Sequence, residues 1–254
     1  MALYLIGIGL YDEEDITLRG LSLAKDSDYI YLEGYTSLSS ATIEGLEKKT
    51  GKKIEKKERE FFEQGSKSII ALAKKKNVGI LVIGDPLSAT THIDLLNEAR
   101  EAGVKAEIVN NASIINAIGI TGLQPYKFGK ITSIPYPQGG YMPETPYNIL
   151  KENLSINAHT LLLLDLSPKD GKFMTANEAI EYMLSLEEKK KAGIFTKDTL
   201  VIGCARIGSR SPTIKAGKAG KLLSEDFGNP LHCIIIPAKM HFVEEENIRK
   251  WMIK

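Results

Sequence analysis

Along the chain, continuous apolar runs alternate with stretches whose apolar residues recur three and four positions apart. Leu3 to Ile8 is apolar throughout, Asp15 to Ala24 has the helical spacing, and Tyr29 to Leu32 is apolar again. The same grammar continues with a helical Ser66 to Lys76, a strand over Val78 to Ile83, a helix from about His92 to Ala102 and a strand over Ala106 to Val109. Strands that are apolar without alternation are buried on both faces, so these repeated β-α-β units predict a mostly parallel sheet sandwiched by helices. A short helical stretch, Ser113 to Ile118, then leads into a passage rich in Gly and Pro between Gly122 and Gly140. Beyond it come strands over His159 to Leu166, Thr199 to Ala205 and His232 to Ile236, with helices near Tyr147 to Asn153 and Thr175 to Glu188. The reading is an α/β protein of two domains, 1–112 with a mostly parallel sheet and 113–254 with a mixed one.

Composition narrows the picture. At 254 residues and 43% hydrophobic content the chain can bury one large core or two modest ones. Its 33 basic and 32 acidic side chains leave no global attraction to nucleic acid or to an anionic membrane, and neither is expected as a partner. The start carries no basic segment ahead of an apolar one, as a signal peptide would, and no apolar run is long enough to span a bilayer. Cys204 and Cys233 sit in apolar strands, which fits a reducing, cytoplasmic compartment without disulfides. Lys-rich patches at Lys48 to Arg59 and Lys189 to Lys191 read as solvated helix faces.

Parallel α/β sheets bind ligands beyond the carboxyl ends of their strands, and three such segments look alike in purpose. Gly7-Ile8-Gly9-Leu10 follows the first strand, Gly84-Asp85-Pro86 follows Val78 to Ile83, and Asn111-Ala112-Ser113 follows Ala106 to Val109. All three should lie on one edge. Gly84 permits positive φ, Asp85 presents a carboxylate that only accepts hydrogen bonds, and Pro86 fixes the turn, a combination suited to a polar organic ligand. Ser113 is the natural cap of the helix it precedes. A dinucleotide fingerprint would use Gly7 and Gly9 as its first two glycines and Glu33 for a ribose, but Asp12 stands where the third glycine belongs and would repel a pyrophosphate. There is no Walker A sequence and no Gly-x-Ser-x-Gly elbow. The histidines 92, 159, 232 and 241 are too scattered for a metal motif, so no metal is expected. His159 and His241 read as packing or capping residues, whereas His232 is set apart by its place at the start of a strand.

These pieces carry a resemblance. Tyr4-Leu5-Ile6-Gly7-Ile8-Gly9-Leu10-Tyr11-Asp12, Asp15-Ile16-Thr17 and Gly84-Asp85-Pro86-Leu87 are similar to the tetrapyrrole methylase superfamily of S-adenosylmethionine-dependent enzymes. Most members have Pro after the second glycine. Leu10-Tyr11-Asp12 instead resembles the branch that acts in diphthamide biosynthesis, as do Glu33 through Ser37, Gly84 through His92, Ala112-Ser113-Ile114, Gly119 through Leu123 and Tyr126 through Lys130. Met174 through Ala179, Ala205 through Ser209 and Pro212 through Gly217 extend the match along the chain.

The resemblance implies a two-domain tetrapyrrole methylase-like fold, a homodimer, and S-adenosyl-L-methionine folded into a cleft that the C-terminal domain completes. The family's donor contacts fall on Leu10, Asp85, Ser88, Ser113, Ile114, Leu164, Ile207 and His232, with the contacts at Ser88 and Ile207 expected through the backbone. It implies a protein substrate, translation elongation factor 2 bearing a 3-amino-3-carboxypropyl-histidine. Archaeal-type members trimethylate its amino group, and this compact chain is expected to do the same. Methyl transfer to an amine from a sulfonium needs little covalent help, and orientation alone recovers about 7 to 11 kcal/mol of barrier, so no catalytic residue is assigned. Water, Tyr35, Thr36 or His92 would take the amine's proton, and the Tyr35 ring would suit the cationic product. A tetrapyrrole or ribosomal-RNA methylase would need a wide aromatic cleft or a basic surface, and a sensor would bind the donor without turnover.

Overall fold

The computed structural model describes residues 1–35, 37–88, 92–137 and 139–254. Thr36, named above as a proton acceptor, and Ala89, Thr90 and Thr91 of the Gly84 to His92 motif lie outside the described residues. Two compact units are present, residues 1–115 with 208–210, and residues 116–207 with 211–254.

The first unit is built on strands β1 (Ala2–Gly7), β2 (Tyr29–Glu33), β3 (Ile54–Lys57), β4 (Val78–Val82) and β5 (Lys105–Val109), in the spatial order β3-β2-β4-β1-β5. Every pairing is parallel. β1 and β4 are buried at every position, as their continuous apolar sequences require. The period of two divides them between two cores. Leu3, Leu5, Ile80 and Val82 pack with Ile69, Ile70 and Ala73 of α4 (Ser66–Ala73) and with Leu95, Leu96 and Ala99 of α5 (His92–Glu101). Ala2, Tyr4, Ile6 and Leu81 pack on the other face with Ala24 of α1 (Leu18–Asp26) and Leu46 of α2 (Ile43–Thr50). The chain thus leaves β1 toward one face and the neighbouring β4 toward the other, so their turns part at a switch point. The helices α3 (Arg59–Glu63) and α6 (Ile114–Ala117) complete this half.

In the second unit β6 (Thr132–Ile134), β7 (Thr160–Leu164), β10 (Leu200–Ala205), β11 (Thr213–Lys218) and β12 (His232–Ile236) form a sheet in the order β11-β10-β12-β7-β6, and β8 (Leu166–Ser167) pairs with β9 (Lys172–Phe173). The sheet is antiparallel except for the β6–β7 pair. Its core gathers Tyr147 and Leu150 of α7 (Thr145–Ser155), Ile180, Met183 and Leu186 of α8 (Ala176–Lys190) and Leu222 of α9 (Ala219–Leu222) against the strands. The helix α10 (Phe242–Arg249) follows β12. The expected α/β architecture, with a parallel sheet and a mixed sheet, is therefore present, and the first sheet is parallel throughout.

Several elements differ from the sequence reading. The helix expected from Asp15 begins at Leu18, because the Thr17 hydroxyl caps it at Gly20 N (3.0 Å) and the Asp15 carboxylate is drawn into the preceding turn. The Lys48 to Arg59 patch is a helix face only at its ends: Lys48 and Lys49 close α2, the chain turns at Gly51 (φ 69°) and becomes the edge strand β3, and Arg59 opens α3. Lysines on an edge strand discourage further pairing, which explains the composition. The same edge position hides β11, whose Thr213, Lys215 and Lys218 interrupt its apolar pattern. The strand expected to run to Leu166 stops at Leu164, where Asp165 turns its carboxylate to the amides of Tyr136 and Leu166, both at 2.9 Å. Cys204 and Cys233 face each other across β10 and β12 as buried free thiols. The Cys233 contact and burial push the Cys204 thiol upward, away from the reactive thiolate. Among the described residues no helix is long and apolar enough to cross a membrane.

Candidate functional site

The three segments singled out beyond the strands do meet. Gly9 N donates to Gly84 O (3.3 Å) and Gly84 N to Gly9 O (2.7 Å), joining the turns after β1 and β4. From the turn after β5, the Asn111 side-chain amide donates to Gly7 O (2.9 Å) and to Asp15 O (3.0 Å). The closeness of these backbones demands glycine. A Cβ on Gly7 would stand 2.6 Å from Gly84 O and 2.8 Å from the Asn111 Cβ. Gly7→Ala is therefore expected to destabilise the first unit by about 1 to 3 kcal/mol, as overpacking does, and to weaken donor binding. Chemical denaturation and calorimetric titration with S-adenosylmethionine check this, and unchanged values for both would show the junction to be soft.

Asp85 is the hub. Its Oδ1 accepts from Leu87 N (2.9 Å) and the Ser88 hydroxyl (3.2 Å), and its Oδ2 from the Asn110 amide (2.9 Å) and Asn111 N (3.1 Å). A carboxylate has about four acceptor sites, so this one is filled by its own loops. Burial pushes the Asp85 carboxyl up, but these hydrogen bonds outweigh it and hold the group below its ordinary range. The sequence reading offered this carboxylate to a ligand. In the structure its oxygens are engaged by the turns after β4 and β5, which they hold together.

Leu10 is half-buried, and its turn is set by Asp15, to which the sequence reading gave no role here. Asp15 Oδ2 accepts from Leu10 N (3.1 Å) and Tyr11 N (2.8 Å). Gly208 (φ +93°) lies against the Leu10 side chain, with room for no Cβ, and Arg210 reaches Asp12 Oδ2 at 3.3 Å. Ser113 is buried and its hydroxyl accepts from Ile115 N (3.3 Å), a capping contact, with Ile114 half-buried beside it. Leu10, Asp85, Ser88, Ser113 and Ile114 thus belong to one edge of the first sheet. Asp15 and Asn111, which the sequence reading named without giving them a role, and Asn110 are the organisers of this edge. Their signal was polar residues with carboxylate or amide side chains directly after apolar strands, where an exposed turn has no need of so many.

In the second unit Leu164 ends β7, Ile207 follows β10 and His232 opens β12 beside Ala205, so these three share one sheet edge. Leu164 is part of the hydrophobic core and Ile207 is buried. His232 is engaged at both ring nitrogens: Nδ1 accepts from Ala176 N (3.1 Å), and Nε2 lies 3.0 Å from Gly228 O and 3.1 Å from Asn229 O. An N–H donor at Nδ1 fixes the tautomer with the proton on Nε2. Burial lowers the His232 pKa and keeps the ring neutral. His159 likewise accepts from Ala238 N (3.0 Å) and meets Glu244 at 3.0 Å, and His241 caps α10, so both are the packing and capping residues expected.

Of the proton acceptors named from sequence, His92 Nε2 is 3.1 Å from the buried carboxylate of Glu33. Burial, and after it the Glu33 and Glu63 carboxylates, push the Tyr35 phenol far above its ordinary range, so it stays protonated and is no base.

Residues 2–223 match the family model described as Tetrapyrrole (Corrin/Porphyrin) Methylases. The diphthine synthase of Methanocaldococcus jannaschii is 49% identical over 250 residues, 97% of each chain. That of Methanococcus aeolicus is 49% identical over 246 residues, 96% of each chain. The chain belongs to the diphthine synthase family of tetrapyrrole methylases. A crystal structure of a diphthine synthase superposes with a TM-score of 0.91 at 38% identity, covering 99% of this chain and 96% of that one. The chain is accordingly an S-adenosylmethionine-dependent methyltransferase of diphthamide biosynthesis. The loop junction and the positions from Leu10 to Ile207 lie inside the stretch that matches the methylase model, and His232 lies beyond it.

Proposed function

We propose that this diphthine synthase family member methylates the amino nitrogen of a 3-amino-3-carboxypropyl-histidine on translation elongation factor 2 three times, leaving the trimethylammonium product, and that it works as a homodimer. The observation that supports the acceptor is the end-to-end similarity to diphthine synthases, with no large part of either chain left over.

For the donor we propose Leu10, Asp85, Ser88, Ser113 and Ile114 in the first unit and Leu164, Ile207 and His232 in the second. The first unit's edge fits a nucleoside with an amino-acid tail. Its glycines let a ring or ribose approach the backbone, Leu10 and Ile114 offer partly exposed apolar surface, and the turn is rigidly held by Asp85 and Asp15. Since Asp85 and His232 have their polar atoms engaged within the protein, their part is to place the backbone. When bound, the donor supplies an electrophilic methyl group to which the amine must be aligned. The chain's contribution is that alignment and the exclusion of water.

The test is incubation of the purified chain with labelled S-adenosylmethionine and elongation factor 2 carrying the aminocarboxypropyl-histidine, followed by intact mass, with unmodified factor as control. Three additions confined to the modified factor are expected. A fourth would replace trimethylation by the esterifying reaction, and donor binding without transfer would remove this acceptor. Sedimentation of the same sample checks the dimer.

A further inference from the structure

On the carboxyl edge that also carries the glycine junction, the first unit holds a cavity of about 280 Å³ whose lining includes Tyr35, Phe62, His92 and Leu95. It draws on the segment after β2 and on α3, α4 and α5, so it lies near the carboxyl end of the strand next to β4. Its walls are aromatic. The Tyr35 and Phe62 ring centroids are 6.0 Å apart, and Phe62 stacks on His92 at the same distance. The remaining lining is Ser66 and three exposed acidic residues, Glu63, Asp94 and Glu98. Against these three carboxylates stands Arg59, which pairs with Glu63 at 3.9 Å and lies 5.3 Å from the Tyr35 ring centroid. The Tyr35 face therefore already accepts a cation. The Tyr35 hydroxyl is buried and, among the described residues, has no hydrogen-bond partner.

We propose that this cavity is an organic-cation subsite that holds the amino end of the acceptor side chain, first as a primary ammonium and finally as a trimethylammonium. The assignment rests on the acceptor proposed above, and the chemistry of the two forms explains both halves of the cavity. A primary ammonium has N–H donors, which the exposed carboxylates of Glu63, Asp94 and Glu98 in the lining accept. A trimethylammonium has none, so only ring faces and the carboxylate field hold it. Each transfer uses the neutral amine, with its proton released to water and S-adenosylhomocysteine left behind, and as N–CH3 replaces N–H the binding passes from the carboxylates to the ring faces. The cavity is at or below the lower end of ordinary ligand sites, roughly 300 Å³, and suits a head group more than a macrocycle.

Three small probes test this by NMR titration of the full chain: ethanolamine as the primary ammonium, choline as the trimethylammonium, and 3,3-dimethylbutan-1-ol as the uncharged shape of choline. Both cations are expected to shift Tyr35 and His92 resonances, and the alcohol to bind at least about tenfold more weakly than choline. Tyr35→Phe, which keeps the ring and removes a hydroxyl that faces no open space, should leave both cations within about twofold. Tyr35→Leu should weaken choline about tenfold. The double variant Asp94→Asn, Glu98→Gln, which changes only exposed side chains, should weaken both cations and reduce their salt dependence. Equal binding of choline and the alcohol, no binding of either cation, or indifference to all these variants would overturn the subsite. Because no turnover is needed, trimethylation of the factor by a chain lacking cation-selective binding overturns the subsite alone. Selective binding without methylation supports the subsite and removes only the acceptor.

Discussion

Replacing Asp85 with Asn is expected to lower the stability of the first unit by at least about 3 kcal/mol at neutral pH and to raise the donor's dissociation constant tenfold or more. The substitution keeps size and shape but swaps one accepting oxygen for an NH2 group. Whichever way the amide turns, two donors lose their acceptor: Leu87 N and the Ser88 hydroxyl, or the Asn110 amide and Asn111 N. Hydrogen bonds to a charged group are each worth roughly 1.5 to 3 kcal/mol, and the buried donors left behind face another donor. Because the bonds come from the turns after both β4 and β5, their loss releases the junction to which Gly7 and Gly9 also belong. The pH dependence carries its own sign. A carboxyl held below its ordinary value of 3.8 contributes stability that is fully present above that pH and is lost as pH falls through the folded value. The difference between wild type and variant should therefore be largest at neutral pH and shrink below about pH 4. Urea denaturation across pH, with donor titration on the same samples, checks both parts. A variant with native stability and affinity would mean that the clamp is dispensable.

A second large effect is expected at Glu244, far from the glycine turns. Its side chain is completely buried at the start of α10, and both oxygens are saturated. Oε1 meets Gln124 N (2.9 Å) and His159 Nε2 (3.0 Å), while Oε2 meets His241 N (2.8 Å) and the Lys127 ammonium. Burial alone would raise its pKa. The Lys127 ammonium, the amides of Gln124 and His241 and the His159 ring together bring it down from 4.5 to about 2. At about 1.4 kcal/mol per unit this corresponds to about 3 kcal/mol of stability. That contribution is present above the unfolded value and is lost as pH falls between about 4.5 and 2. Glu244→Gln should thus lower the stability of the second unit by about 3 kcal/mol at pH 7, with the gap closing in acid and the C-terminal helix becoming easier to cleave by protease. The exposed neighbour Glu245→Gln should change nothing measurable. An unchanged acid limb for Glu244→Gln would show that other carboxylates govern acid unfolding.

The sequence by itself determined the features whose cause is local. The unbroken apolar runs of β1 and β4 required strands buried on both faces, and their alternation assigned Leu3 and Leu5 to one core and Ala2, Tyr4 and Ile6 to the other. Gly7, Gly9 and Gly84 marked the turns, and the motif around Leu10-Tyr11-Asp12 carried the family. Edge strands were harder to read, since β3 and β11 carry lysines that blur the period of two. The tertiary structure alone decided where side-chain hydrogen bonds go. The acidic side chain of Asp85 looks ready for a ligand in the sequence, yet in the fold it is consumed by Asn110 and Asn111. The proton of His232 is placed by Ala176, and Glu244 is satisfied by Gln124 and Lys127. The cavity beside Tyr35 assembles residues from the stretch after β2 and from three helices. The physical reason is range. Turn chemistry and hydrophobic period act between neighbours in the chain, whereas the filling of a lone pair depends on which distant donor the packed fold brings within about 3 Å.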